Sequence, residues 1–211
     1  MRVLLWMCFF AVAVEVPAQE FHIVFLNKKE DKKQLPEEEV KRLMDGHMAN
    51  INQLAKEGKL WAAGPFDGGG GIFIFKSPSI EDVKSWILTD PAVAAERWNV
   101  EIFSYTPRIG SVCAVGEKYE MTNYYFVRYY VDQAKANEKE WKKHQKFLEP
   151  WVNNGKVITE ATLGASEGAI LVLREEPQSE KLAEDPAVKK GTLKPAILKI
   201  FIAKGSFCEP R

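Results

Sequence analysis

Two histidines lie on the apolar faces of two predicted helices, where an ionisable side chain is unusual. His47 comes three residues after Met44 and four before Ile51, the steps that bring side chains to one face of a helix. His144 occupies the same kind of position, three residues after Trp141. An imidazole can accept and release a proton near neutral pH. Each histidine is therefore either an acid–base group or a core residue hydrogen-bonded to a carbonyl or carboxylate, and the spacing leaves both interpretations open.

The elements that would position these histidines occur twice along the chain, each time in the order β-α-β-β-α-β. The first set is predicted as strands at 21–26, 59–66, 72–76 and 98–105 with helices at 36–57 and 79–87. The second set is predicted as strands at 123–131, 156–162, 169–173 and 196–204 with helices at 134–154 and 177–183. We therefore expect two units, at 20–115 and 121–208, joined by a short linker.

A nearly constant separation relates equivalent residues in the two units. The pairs, 95 to 97 residues apart, are His47 and His144, Gly58 and Gly155, Asp90 and Asp185, and Cys113 and Cys208. An order-preserving match of this kind predicts an internal repeat.

The burial pattern of the strands indicates how the two units pack. A β-α-β-β-α-β unit is ferredoxin-like, and its helices cover only one face of the sheet. The strands at 72–75 and 169–173 are apolar on nearly both faces, unlike a sheet with one wet face. An exposed apolar face of this size would aggregate. The expected fold class is thus α+β: two ferredoxin-like units packed sheet to sheet as a fused dimeric α+β barrel, a pseudo-dimer within one chain.

Several of these residues together resemble the YCII-related (YciI-like) family. The matching features are His47 on the first helix, Gly58-Lys59-Leu60, Ala63-Gly64-Pro65 and Asp90-Pro91, and they span most of residues 21–106. The second unit keeps His144, Gly155-Lys156-Val157 and Asp185-Pro186 but has Ala161-Thr162-Leu163 where the family has Ala-Gly-Pro. We therefore expect the second unit to be a degenerate copy. Members of the family are small ferredoxin-like domains that pair into α+β barrels.

The resemblance implies a His–Asp pair at a cleft as the active site. His47 would be the base and Asp90 the residue that orients it, with a weaker second pair at His144 and Asp185. The resemblance also implies ligand-binding roles for Gly64, Pro65 and Phe66. The relatives include a dechlorinating lyase that acts on chlorinated hydroxyquinols, so the expected chemistry is a lyase- or isomerase-type reaction on a small organic molecule, without a cofactor.

The same residues also allow a protein that is not an enzyme. A histidine on an apolar face can be a satisfied core residue, and Asp-Pro is a good turn at the start of a helix, so Asp90 and Asp185 could be caps. The alternative function is therefore a small-ligand-binding or structural protein with core histidines. Whether the tandem unit associates further is not predicted.

Charge and composition exclude some classes of partner. The chain has 29 basic and 29 acidic residues, which argues against a nucleic-acid partner because such proteins carry a basic patch. There is no His-x-x-x-His or Cys-x-x-Cys spacing, so no metal site is predicted. The glycine run at 68–71 precedes neither a Lys-Ser/Thr pair nor a helix, and we expect a hairpin turn there rather than a phosphate loop.

The N-terminus predicts export. Residues 1–18 combine a short basic start, an apolar run and small residues at the cleavage positions, which is typical of a signal peptide cut after about Ala18. No later segment is long and apolar enough to span a membrane, so a secreted or periplasmic protein is expected. In that compartment Cys113 and Cys208 could form a disulfide if their Cα atoms come within roughly 4.4–6.8 Å.

Overall fold

The computed structural model describes residues 21–116 and 118–208, and both halves of this region contain the same order of elements. The first half comprises β1 (Phe21–Lys28), α1 (Glu37–Lys56), β2 (Leu60–Pro65), β3 (Gly71–Lys76), α2 (Ile80–Ile87), α3 (Pro91–Ala94), β4 (Trp98–Ile109) and β5 (Ser111–Val112). The second half comprises β6 (Met121–Val131), α4 (Glu138–Asn153), β7 (Val157–Leu163), β8 (Gly168–Leu173), α5 (Ser179–Ala183), α6 (Pro186–Lys189), β9 (Leu193–Ala203) and β10 (Phe207–Cys208). The signal peptide predicted at 1–18 lies outside the described residues.

Local sequence determines where the first two helices begin and end. Pro36 is the N-cap of α1, where its missing N–H breaks no helical hydrogen bond, and three glutamates follow it in the positively polarised first turn. Gly58 follows α1 with φ +70°, the left-handed conformation that glycine readily adopts at the end of a helix. Ser79 caps α2, since its hydroxyl accepts hydrogen bonds from the backbone N–H groups of Glu81 and Asp82.

Four strands from each half form one antiparallel sheet of eight strands, in the order β2-β3-β1-β4-β7-β8-β6-β9. The two halves join where β4 pairs with β7, with Tyr105 opposite Leu163. The two outer strands then approach each other, because Phe66 forms a bridge with Ile200 and the N–H of Asp67 donates to the carbonyl of Lys199. The sheet is therefore nearly closed into a barrel, and the predicted fused α+β barrel is confirmed.

Successive side chains along each strand point to opposite faces of the sheet, so the buried apolar side chains form one cluster inside the barrel and two clusters outside it. In β3, for example, Ile72 and Ile74 face the barrel interior, while Phe73 and Phe75 face the helices. The interior cluster draws apolar side chains from both halves of the chain, whereas each outer cluster lies between one half of the sheet and its own helices. This arrangement explains why the strands are apolar on both faces.

A short ribbon of β5 and β10 ties the ends of the two halves together. Val112 pairs with Phe207 in this ribbon, and the N–H of Cys113 donates to the carbonyl of Ser206. Cys113 and Cys208 are disulfide-bonded, with their Cα atoms 5.6 Å apart. The ends of the two halves therefore meet, and the Cα separation lies within the roughly 4.4–6.8 Å that a disulfide requires.

Candidate active site

His47 lies on the buried face of α1, between the helix and the outer face of the sheet. Its ring stacks on Phe73 of β3, with centroids 5.7 Å apart and planes inclined by 22°. On another side it packs against Trp98 of β4 at 4.9 Å. The imidazole side chain keeps only 9% of its surface exposed. Two aromatic rings and the sheet therefore fix the orientation of His47.

Asp90 meets this histidine from the start of α3. Its Oδ1 accepts hydrogen bonds from the backbone N–H groups of Ala92 at 2.9 Å and Val93 at 3.2 Å, so it is the N-cap of that helix. Its other oxygen, Oδ2, lies 2.5 Å from Nδ1 of His47. The carboxylate is fully buried. Asp90 is therefore both the N-cap of α3 and the hydrogen-bond partner of His47.

The second half contains a matching pair in a more closed setting. His144 on α4 has its Nδ1 2.5 Å from Oδ2 of Asp185, and Asp185 caps α6 by accepting from the N–H of Ala187 at 2.8 Å. The side chain of His144 is only 1% exposed. Both predicted His–Asp pairs are therefore brought together by the fold, and they differ in how much of the imidazole solvent can reach.

The geometry assigns the hydrogens of both imidazoles. A buried carboxylate accepts hydrogen bonds, so Nδ1 of each histidine carries the hydrogen and donates it. Nε2 is then left with a lone pair that can take up a proton. A carboxylate in this position also stabilises the imidazolium that forms. Each pair is thus arranged as a base held in a single tautomer.

Polar residues that the sequence analysis did not assign to a site surround the second pair. The ring of Tyr129 on β6 meets that of His144 at 4.8 Å. Burial raises the pKa of the Tyr129 phenol above its usual value, and the negative charges of Asp185 and Glu160 raise it further. Glu160 on β7 accepts two hydrogen bonds from Arg108, one from Nε at 2.9 Å and one from Nη2. Glu160 is the one charged residue of β7, and that charge in a buried strand was the signal that the sequence offered.

The structure separates the predicted ligand-binding residues Gly64, Pro65 and Phe66 from the first pair. They lie at the closing edge of the barrel, where a β-carbon added to Gly64 would be 2.6 Å from the carbonyl oxygen of Phe201 on β9. Strand β9 therefore fills the space that the sequence analysis assigned to a ligand. Phe66 packs with the interior cluster, whereas His47 lies on the helix-covered face of the sheet. These three residues do not line the His47 site.

Two open cavities lie in the second half of the molecule, away from the first pair. One, of about 510 Å³, runs between the end of α4 and the segment before α5, and its lining includes Trp151, Lys156 and Lys181. The other, of about 590 Å³, is a shallow depression between α4 and α6. Neither is lined by any of the four predicted catalytic residues.

Within residues 21–116 and 118–208, no group of three or more His, Cys, Asp or Glu side chains is arranged to hold a metal ion. Among the helices of the same region, none has the length and apolarity needed to cross a membrane.

The first half of the chain matches a known family. The model of the YCII-related domain matches residues 21–106, which confirms the resemblance over the first unit. A comparison with curated proteins finds no significant match. The extension of the family to a second, degenerate unit stays a prediction.

Two solved structures share the fold over most of their length. An anthrone oxidase-like protein has 12% identity and a TM-score of 0.52, with 88% of this chain and 92% of that chain covered. A candidate chlorite dismutase has 15% identity and a TM-score of 0.50, with 89% of this chain and 96% of that chain covered. At such identities the likeness shows the α+β-barrel fold alone.

Proposed function

We propose that the chain is an exported, tandem YCII-like protein that moves a proton on a small organic molecule, in a lyase- or isomerase-type reaction. The observation that carries this proposal is the 2.5 Å contact between His47 Nδ1 and Asp90 Oδ2. The two residues come from separate helices, and the family match includes both. The same contact between His144 and Asp185 supports the idea that the second half is a duplicated unit.

In the proposed reaction, a proton leaves a C–H or O–H bond of the substrate and passes to Nε2 of His47, while the bond's electron pair stays on the substrate. Asp90 accepts a hydrogen bond from the Nδ1–H group throughout and stabilises the positive charge of the imidazolium. Return of the proton to another atom of the substrate completes an isomerisation, and its return to a leaving group completes an elimination. General acid–base catalysis of this kind contributes about 10²–10⁴-fold in rate.

Deuterium uptake tests this activity before the natural substrate is known. The purified protein is incubated in D2O with a panel of small carbonyl and hydroxyaromatic compounds, and mass spectrometry measures exchange of carbon-bound hydrogen. We expect at least one compound to exchange, and His47→Gln to reduce that rate by about 10²–10⁴-fold. Asn52→Ala, on the exposed face of α1, is the matched control and should keep the rate. Full exchange in a folded His47→Gln protein would eliminate the proposed role.

A second candidate function is a small-ligand-binding or structural protein in which His47 is a core residue. The enclosure of the ring by Phe73 and Trp98 favours this alternative. Diethyl pyrocarbonate discriminates between the two, because it modifies an imidazole only at an accessible lone pair. The acid–base proposal expects His47 to react faster than His144, whereas equal protection of both supports the alternative.

Export is part of the proposal. The basic and apolar pattern of residues 1–18 supports it, and so does the Cys113–Cys208 disulfide, since disulfides persist mainly in oxidising compartments. Expression in a secreting host should give a protein that begins at Gln19. N-terminal sequencing of the protein outside the cytoplasm checks this, and an intact Met1 there would contradict it.

A further inference from the structure

The second His–Asp pair differs from the first in the polar atoms beside it. Nε2 of His144 and the hydroxyl of Tyr129 are both buried, and neither has a hydrogen-bond partner in the part of the chain that the structure describes. Their rings are in contact, nearly perpendicular at 72°. The ring neighbours of His47 are instead Phe73 and Trp98. Because buried polar atoms are nearly always hydrogen-bonded, we expect each of these two atoms to have a partner.

The hydrogen-bonding character of the two atoms follows from their surroundings. In the neutral imidazole of His144, Nδ1 donates to Asp185 and Nε2 is an acceptor. The phenol of Tyr129 keeps its hydrogen, because burial and the nearby carboxylates of Asp185 and Glu160 disfavour the phenolate. Glu160 is already engaged by Arg108. The second half thus presents, on two side chains whose rings are in contact, one acceptor in the neutral imidazole and one phenol donor.

We propose that His144 and Tyr129 together bind one small hydroxylic molecule, which donates its O–H to His144 Nε2 and accepts from the Tyr129 hydroxyl. A carboxylate has no hydrogen for Nε2, and an ammonium ion has no lone pair for the phenol, whereas a single hydroxyl oxygen can donate to the first and accept from the second. Water and a short alcohol share this chemistry. This site is separate from the proton transfer proposed at His47, and neither depends on the other.

The depth of the site predicts slow exchange of the bound molecule. The side chain of His144 is 1% exposed and Tyr129 is equally buried, so the molecule enters and leaves only when the surrounding helices open. A water held here should therefore behave as a long-lived internal water.

Oxygen-17 relaxation dispersion tests whether the bound molecule is water. We expect Tyr129→Phe to lose one long-lived water relative to the wild-type protein. Tyr105→Phe is the matched control, because Tyr105 is also a buried phenol but its hydroxyl already bonds to Thr159 at 3.1 Å, and this variant should keep that water. In the wild-type protein, a nuclear Overhauser effect between water and the ring protons of His144 tests the same site without any substitution.

Titration with methanol tests whether the site binds a short alcohol. The nitrogen-15 shift of His144 Nε2 is followed as methanol is added to the wild-type protein and to Tyr129→Phe. A saturable shift that Tyr129→Phe abolishes identifies a short alcohol as an occupant, and no methanol effect with a long-lived water identifies water. The proposal is overturned if the wild-type protein shows neither the water contact at His144 nor a saturable methanol shift.

Discussion

Gly46 and Pro91 pack so closely that a β-carbon built on Gly46 would lie 2.6 Å from Cγ of Pro91. Gly46 immediately precedes His47, and Pro91 immediately follows Asp90. The approach of α1 to α3 at this point therefore determines the distance between the imidazole and the carboxylate. A glycine inside a helix costs about 1 kcal/mol relative to alanine, so its presence here indicates a requirement for close packing.

Gly46→Ala should weaken the His47–Asp90 contact. The added methyl group must displace Pro91 and with it the start of α3, and overpacking of this kind costs about 1–3 kcal/mol of unfolding free energy. Urea unfolding measures the loss, and nitrogen-15 shifts of the His47 ring measure the contact. Asn52→Ala, at an exposed position of α1, is the control for helix propensity and should leave both unchanged or slightly raise stability. A Gly46→Ala protein that gains stability would contradict the packing argument.

The His–Asp pairs could be anticipated from sequence, but their surroundings could not. Helical periodicity placed His47 and His144 on buried faces, and the family motif suggested Asp90 as the partner. Nothing local reveals that Gly46 sets the helix–helix distance, because that depends on which element packs against α1. Nothing local reveals the contact of Tyr129 with His144 either, because it depends on the packing of α4 against β6.

Asp90→Asn isolates the charge of the carboxylate from its role as a cap. Asparagine is as good an N-cap as aspartate, so α3 should still begin at this residue. Loss of the charge-assisted hydrogen bond should lower the free energy of unfolding by about 1.5–3 kcal/mol. The His47 ring should also lose its preference for the hydrogen on Nδ1, which nitrogen-15 NMR detects. An unchanged tautomer in Asp90→Asn would show that the carboxylate does not control the imidazole, and Asp185→Asn provides the parallel test for His144.

Gly64→Ala should open the closing edge of the barrel. The new β-carbon would lie 2.6 Å from the carbonyl oxygen of Phe201 and 3.0 Å from Cβ of Ile202, so β2 and β9 must separate. We expect a loss of about 1–3 kcal/mol in unfolding free energy. Gly116→Ala is the matched control, because an added β-carbon there meets no atom within 4 Å. If Gly64→Ala and the control unfold at the same urea concentration, β9 does not require the glycine.

The misassignment of Gly64 to a ligand site shows which part of the fold could not be predicted from the sequence. Strands that are apolar on both faces required a second covering layer, and that argument led correctly to a fused barrel. The order of strands across the joins did not follow, because burial is satisfied by any close pairing of the two sheets. Since the approach of β2 to β9 was not predicted, the space beside Gly64 was assigned to a ligand.

Removal of the Cys113–Cys208 disulfide should destabilise the barrel. The two residues are 95 positions apart in the sequence. A crosslink that closes so long a loop lowers the entropy of the unfolded chain, which in the chain-entropy description raises the free energy of unfolding by about 4–5 kcal/mol. Measured contributions of disulfides are more often about 2–4 kcal/mol. Urea unfolding with and without a reductant measures the difference. The double variant Cys113→Ala, Cys208→Ala should match the reduced protein and should not respond to the reductant. A wild-type protein that is equally stable in both conditions would contradict the prediction.

The buried phenols predict loss of stability in alkali. Burial raises the pKa of both Tyr105 and Tyr129 above the usual value, so in the folded protein they keep their hydrogens at a pH where the unfolded chain releases them. Above about pH 10 the unfolded state therefore binds fewer protons than the folded state, and the free energy of unfolding falls as pH rises, by up to about 1.4 kcal/mol per pH unit for each phenol.

Tyr129→Phe should remove part of this alkaline dependence. Urea unfolding between pH 8 and pH 11, about one to two units either side of the usual phenol pKa, measures the slope. Tyr119→Phe is the control, because Tyr119 is exposed, and this variant should leave the slope unchanged. Phenolate absorbance gives an independent readout, since the signals of Tyr105 and Tyr129 should appear only as the protein unfolds. Equal slopes for wild type and Tyr129→Phe would contradict the prediction, because they would mean that Tyr129 ionises as readily in the folded protein as in the unfolded chain.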